Sequence, residues 1–299
     1  MGELLSGLFG GGDSAAALIA RELRLPRALL GLVIGGALGL SGAALQGLLR
    51  NPLAEPGLVG ASGMASLGAV VVLYFGLASA FPFAVPVAGV AGALLAVGML
   101  YALAGREANT ATIILAGVAL NALAGAGVAL ALNLSPSAYA AVEIAFWLLG
   151  SLADRSVQHL AFAMPFIAVG VALLLSVGRS LDALALGEET AASLGIDLKA
   201  LRLRAILGTG LAVGAGVAVA GSIGFIGLVV PHLLRPVFGH EPSRLMWPSA
   251  LGGACLLLAA DLGVRLIPSP QELKLGVLTA LVGAPFFLGL MWRMRREAA

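Results

Sequence analysis

The chain has 299 residues, of which 60% are hydrophobic and only 11% charged, with a mean hydropathy of +1.04 and a formal net charge of +2. A soluble domain carries roughly 25% charged residues, and no aqueous core could hide this much apolar surface, so lipid must be the solvent for most of the chain. The small net charge gives nucleic acid no footing, and a single cysteine, Cys255, excludes an intramolecular disulfide.

The first 20 residues carry Gly10, Gly11, Gly12 and Asp13, are not read as a span, and lack the basic start of a cleaved signal peptide. From there, charge-free runs predict about nine membrane helices: Ala28–Leu49, Gly57–Ala78, Phe83–Ala104, Thr112–Asn133, Val157–Gly178, Ala205–Ala220, Gly224–Leu234, Leu245–Ala260 and Leu275–Trp292. The fold class is therefore all-α, a polytopic helix bundle forming one domain over residues 1–299. Gly224–Leu234 is too short to cross ~30 Å as an ideal helix. Ser135–Gly150, ending in a Trp-containing apolar stretch, reads as a short interfacial helix. Cys255, inside an apolar run, is expected to be a small buried hydrophobe.

Two breaks interrupt this pattern. Asn51-Pro52-Leu53-Ala54-Glu55-Pro56-Gly57 holds two prolines and a glycine, which fix a rigid turn. Ala220-Gly221-Ser222-Ile223-Gly224-Phe225-Ile226-Gly227 forms the second, expected on the opposite face. Irregular backbone at membrane depth survives only against protein or a water-filled path, so two rigid breaks suit a gated pathway.

Basic residues set the orientation. With the tail Arg293, Arg295 and Arg296 in the cytoplasm, alternation through nine spans puts eleven Arg and Lys inside and six outside (Arg21, Arg24, Arg27, Arg155, Arg265 and Lys274). The N-terminus then lies outside. The longest loop, residues 179–204, is cytoplasmic. It mixes Asp182, Glu188, Glu189 and Asp197 with Arg179, Lys199, Arg202 and Arg204, and its Leu184–Gly195 stretch is rich in Leu and Ala. Two short helices, broken at Gly187 and stopped at Gly195, are expected there as a docking surface for a cytoplasmic partner.

No Walker A motif is present, so the chain does not bind ATP in that way, and no Cys/His cluster has metal spacing. No cofactor or metal is expected. Gly60-Ala61-Ser62-Gly63 matches the pattern around the serine of rhomboid intramembrane proteases. That chemistry would need a histidine base within reach of Ser62, for which His232 is the candidate, but no H-x-x-x-N segment accompanies it. An intramembrane protease and a passive channel are the alternatives to a permease.

Several stretches, in order along the chain, then carry a resemblance. They are Arg24-Leu25-Pro26-Arg27; Ser41-Gly42-Ala43-Ala44-Leu45-Gln46-Gly47; Asn51 through Gly60; Leu115-Ala116-Gly117-Val118-Ala119-Leu120; Ala183-Leu184-Ala185-Leu186-Gly187-Glu188; Gly224 through His232; Ala259-Ala260-Asp261; and Gly276 through Phe286. Together they resemble the FecCD family, permeases of type II ABC importers that take up iron–siderophore complexes, haem and cobalamin across the bacterial inner membrane.

The resemblance implies a homodimer with a path on its two-fold axis, two cytoplasmic ABC ATPase subunits below and a periplasmic substrate-binding protein above. It implies that Leu184, Leu186, Gly187, Glu188, Leu194 and Gly195 belong to ATPase-coupling helices. Arg24, Arg27 and Arg265 match outward arginines that dock the binding protein. Asn51 with Leu53 match one cytoplasmic gate, and Thr110 with Ala111 match the other. Family members usually have ten spans, and the nine read here lack a counterpart to the first, before Arg21.

Overall fold

The computed structural model describes residues 15–79, 81–105, 109–268 and 272–297. Gly10–Gly12, Asp13 and Arg106 lie outside the described residues. All regular structure among those described is helical: α1 (Leu25–Leu48), α2 (Ala61–Tyr74), α3 (Ala84–Ala104), α4 (Thr110–Asn133), α5 (Ala138–Leu148), α6 (Val157–Ser176), α7 (Gly178–Ala185), α8 (Glu188–Ser193), α9 (Leu198–Ala220), α10 (Ile226–Phe238), α11 (Pro242–Leu266) and α12 (Leu275–Glu297).

Each expected span has a helix, and seven of these are long and apolar enough to cross a bilayer. The exceptions are α2, with 14 residues, and α10, with 13. At 1.5 Å per residue each reaches only about 20 Å, and non-helical chain supplies the rest of the passage. The short helix expected in Ser135–Gly150 is α5, whose N-cap Ser137 accepts a hydrogen bond from the Ala140 backbone N–H at 3.1 Å.

Several helix boundaries differ from the charge-free runs. Helix α1 does not start at Ala28. It is continuous with Ala15–Ile19 through a π-helical turn at Ala20–Arg24, in which the Leu25 N–H reaches back to the Ala20 carbonyl. Pro26 explains the turn: it has no N–H to donate and its ring crowds the preceding turn, so the backbone widens by one residue just before it. Helix α9 starts at Leu198, because Asp197 caps it by accepting from the Lys199 and Ala200 N–H groups at 2.9 and 3.1 Å. The first turns of α9 thereby take in Lys199, Arg202 and Arg204, which a charge criterion assigns to the loop. Helix α11 extends beyond Leu245–Ala260 at both ends.

The bundle is organised around α1 and α9. In α9, 78% of the span window is buried, against 22% in α6 and in α12, which face outward. Helices in lipid gain no hydrophobic drive from each other, so close backbone packing must hold them. Accordingly α1 meets α11 through small residues: a methyl built on Gly39 would lie 2.0 Å from the Ser249 carbonyl oxygen, so only glycine permits this approach. Cys255, on α11, is exposed rather than buried. It sits on the outward side of the apolar middle of this helix, where lipid-facing and core-facing residues look alike in sequence.

Candidate functional site

The two rigid breaks enter from opposite sides. They meet inside the bundle. The Glu55 carboxylate lies near the Phe225 backbone N–H. A methyl built on Gly227 would lie 2.7 Å from Cδ of Pro56 and 2.8 Å from the Leu38 carbonyl oxygen. Both breaks are thus re-entrant: residues 51–60 rise to the start of α2, and residues 221–225 descend to the start of α10. Gly60 and Phe225, just before these helices, hold φ of +78° and +67°.

Side-chain amides satisfy the freed backbone. Asn121 Nδ2 donates to the Gly57 carbonyl at 2.6 Å, and Gln46 Nε2 donates to the Gly227 carbonyl at 3.3 Å. This is how irregular chain is tolerated at membrane depth. Arg235 in turn donates to Gln46 Oε1 at 2.6 Å. Gln46 lies within the family stretch Ser41–Gly47, but its partners are about 180 positions away and no local pattern announces them.

The expected gate residues lie in two segments, the turn after α1 and the start of α4. Asn51 Oδ1 accepts from the Leu53 N–H at 2.9 Å, fixing a tight turn that leaves Leu53 half-buried. Thr110 opens α4, whose N-cap Asn109 accepts from the Thr112 N–H at 2.8 Å and from its hydroxyl at 2.9 Å. Ala111 is exposed. No hydrogen bond joins the two pairs within one chain.

The expected coupling segment is present as α7 and α8. Gly187 separates them with φ +112° and Gly195 follows α8 with φ +84°, both conformations that favour glycine. Leu186 and Leu194 are 69% and 62% exposed, whereas Leu184 is buried in the core. Leu184 therefore anchors the segment, and Leu186 and Leu194 present it. Two polar ties bind it to the bundle: Asp182 Oδ1 accepts from the Ser243 N–H at 2.9 Å, and Glu188 pairs with Arg202 at 2.8 Å.

On the outer face, Arg24, Arg27 and Arg265 do come together. With Asp154, Glu272 and Lys274 they line an open basin of about 960 Å³. They are not equivalent. Arg27 forks onto the buried Asp261 carboxylate, with Nε and Nη2 at 2.9 and 2.8 Å from Oδ1, and also pairs with Glu272. Arg265 pairs with the same Asp261, four residues earlier on α11. Arg24 and Arg265 are exposed as residues and Arg27 is half-buried, but Arg24 is not held by Asp261. Asp261 thus holds two of the three arginines; its spacing of four from Arg265 was the available signal. In the loop after α5, burial holds the Arg155 guanidinium below its ordinary value, opposed by neighbouring Asp154.

The protease alternative has no support in this arrangement. Ser62 lies beside Gly57 and near the Glu55 carboxylate. His232 packs edge-on against Phe286 of α12, with ring centroids 5.9 Å apart, in a separate apolar cleft with Pro285 and Leu290. Among the described residues no group of three His, Cys, Asp or Glu gathers as metal ligands.

Comparison with known proteins agrees with this architecture. Residues 1–293 match the FecCD transport family. The chain is 45% identical over 296 residues to the vitamin B12 import system permease protein of Vibrio cholerae, covering 98% of this chain and 88% of the relative. It is 41% identical to the hemin transport system permease protein of Yersinia pestis, covering 92% and 84% of the two chains. Among solved structures, an inward-facing transporter described as of the metal-chelate ABC type superposes with a TM-score of 0.87 at 31% identity, over 94% of this chain and 89% of that one. With its permease relatives, its long apolar helices and its paired re-entrant breaks, the chain belongs to the FecCD transport family of multi-pass membrane permeases.

Proposed function

We propose that the chain is the transmembrane subunit of an ATP-driven importer. Two copies enclose a path through which a bulky metal chelate (cobalamin, haem or an iron–siderophore) passes from a periplasmic binding protein to the cytoplasm. The relatives' names and the family support the class of cargo. The observation that carries the proposal is the pair α7–α8: a short helical hairpin that exposes Leu186 and Leu194 on the positive-inside face and is tied by Glu188 and Asp182 to two different parts of the bundle. A chain with no nucleotide site of its own needs such a surface to receive work from an ATPase.

Gly187→Pro tests it. Proline cannot adopt φ +112°, and it removes the Gly187 N–H that donates to the Leu184 carbonyl at 3.0 Å. The expected result is loss of ATPase co-purification from a permease that still folds. Retention of the ATPase together with normal transport would rule α7–α8 out as the coupling element.

In this reading Asn51 and Leu53 with Thr110 and Ala111 close the path at its cytoplasmic end, by apolar contact between copies rather than by charge. Leu53→Cys or Ala111→Cys in a Cys255→Ser background should crosslink the two copies in some nucleotide states only. A yield independent of nucleotide would argue against a gate there. Arg24, Arg27 and Arg265 form the basic rim that receives acidic groups of the binding protein, and Arg24 is the one most available to pair outward.

A further inference from the structure

The charged tie between α8 and α9 has a buried hydroxyl next to it. Arg202, on the first turns of α9, gives Nη2 to Glu188 Oε1 at 2.8 Å, with its side chain only 12% exposed. Glu188 is the first residue of α8, directly after the Gly187 break. Within electrostatic reach of Arg202 lies the hydroxyl of Tyr101, on the last turn of α3. That hydroxyl is buried and has no hydrogen-bond partner among the described residues. A buried polar group without a partner is costly, and a native protein that keeps one usually has a use for it in another state.

Tyr101 and Arg202 line the same narrow crevice, about 20 Å³, together with Gly105, Ile113 and Lys199. That volume suffices for about one water molecule. Ile113 stands on the first turn of α4, just after Thr110 and Ala111. The crevice therefore joins the end of α3, the start of gate-bearing α4 and the start of α9, and Arg202 is the residue that links it to α8.

We infer that Arg202 is a positioning residue that transmits motion of α8 to the gate by exchanging partners. It is held by Glu188 in the conformation seen here and takes the Tyr101 hydroxyl as acceptor when α8 shifts. Guanidinium suits the exchange because its fork can begin a new hydrogen bond before releasing the old one. Two discrete pairings give the segment the bistability that a coupled motion requires. This inference rests on the assignment of α7–α8 as the ATPase contact and of Ala111 as part of the gate.

The test uses the full transporter, with permease and ATPase subunits assembled, and Ala111→Cys spin-labelled in a Cys255→Ser background. The distance between the two labels is measured with and without ATP, and ATP hydrolysis is measured alongside. In the parent the distance distribution should shift with nucleotide. Tyr101→Phe should abolish that shift while hydrolysis continues. Its thermal stability should equal or exceed the parent's, since removing an unpartnered buried hydroxyl does not weaken packing. Arg202→Gln should behave likewise, and Arg202→Lys should restore part of the shift. A shift of parental size in both Tyr101→Phe and Arg202→Gln overturns the exchange and leaves the coupling assignment standing. A parent that shows no shift, or a Leu186→Asp permease that still retains the ATPase, overturns the underlying assignment and the exchange with it.

Discussion

Gly42→Val should leave no folded permease in the membrane. A methyl built on Gly42 would lie 1.9 Å from the Gly227 carbonyl oxygen, 2.5 Å from its carbon and 2.6 Å from its Cα. All three are backbone atoms at the start of α10, where Gly227 is already held between Pro56 and the Leu38 carbonyl. Neither side can yield without parting α1 from α10 and opening the meeting point of the two breaks. Ordinary overpacking costs about 1–3 kcal/mol, and an overlap of backbone with backbone should exceed that. Val adds a second branch where even Ala does not fit. Gly98→Ala serves as the control: nothing lies within 4 Å of a methyl there, on the outward side of α3, so it should be neutral or stabilising by up to about 1 kcal/mol. Size-exclusion profiles and thermal unfolding in detergent read both. A monodisperse Gly42→Val protein with parental stability would mean that α1 and α10 are not packed as described.

Asp261→Asn should be the most damaging single change on the outer face. Asp261 is a buried carboxylate that balances Arg27 and Arg265 together, and without it Arg27 would keep its pairing with Glu272 while Arg265 would lose its carboxylate. Removing one member of a buried ion pair typically costs about 3–5 kcal/mol, because the surviving charge is left without compensation. Glu272 and the open basin soften that, so a loss on the order of 3 kcal/mol is expected, read as a lowered unfolding temperature. Docking of the binding protein should fail as well, since Arg27 and Arg265 lose the anchor that aims them. Arg24→Glu separates the two effects: Arg24 is exposed, so its reversal should leave stability unchanged and still weaken docking, more so at low salt. Parental stability in Asp261→Asn would show that the arginines are not held by this carboxylate.

What the sequence discloses here is what depends on near neighbours. Charge-free runs locate the helices, and Gly187 and Gly195 mark the ends of α8 because positive φ is a local demand. Asp197 announces the start of α9 in the same way, although a charge criterion overrode it. What stays hidden depends on contacts across the chain. Glu55 and Phe225 are 170 positions apart, and nothing in either segment shows that each break enters the bundle to meet the other. Arg27 and Asp261 are 234 apart, so three outward arginines look equally free when two of them are already paired. The orphaned Tyr101 hydroxyl is a property of packing and has no sequence signature. The family resemblance implies gates at Asn51 and Leu53 and at Thr110 and Ala111, but a gate between two copies leaves no trace in the contacts of one.

The most direct test of the transport assignment is uptake into proteoliposomes. The permease is reconstituted with its ATPase subunit, and the binding protein is supplied on the outer face. Cyanocobalamin, haem and a ferric siderophore are offered in turn. Accumulation of one of these chelates against its gradient, strictly dependent on ATP, on the ATPase subunit and on the binding protein, is the predicted result. Equilibration of a chelate through the permease alone, without ATP or binding protein, would show a passive channel and contradict the account.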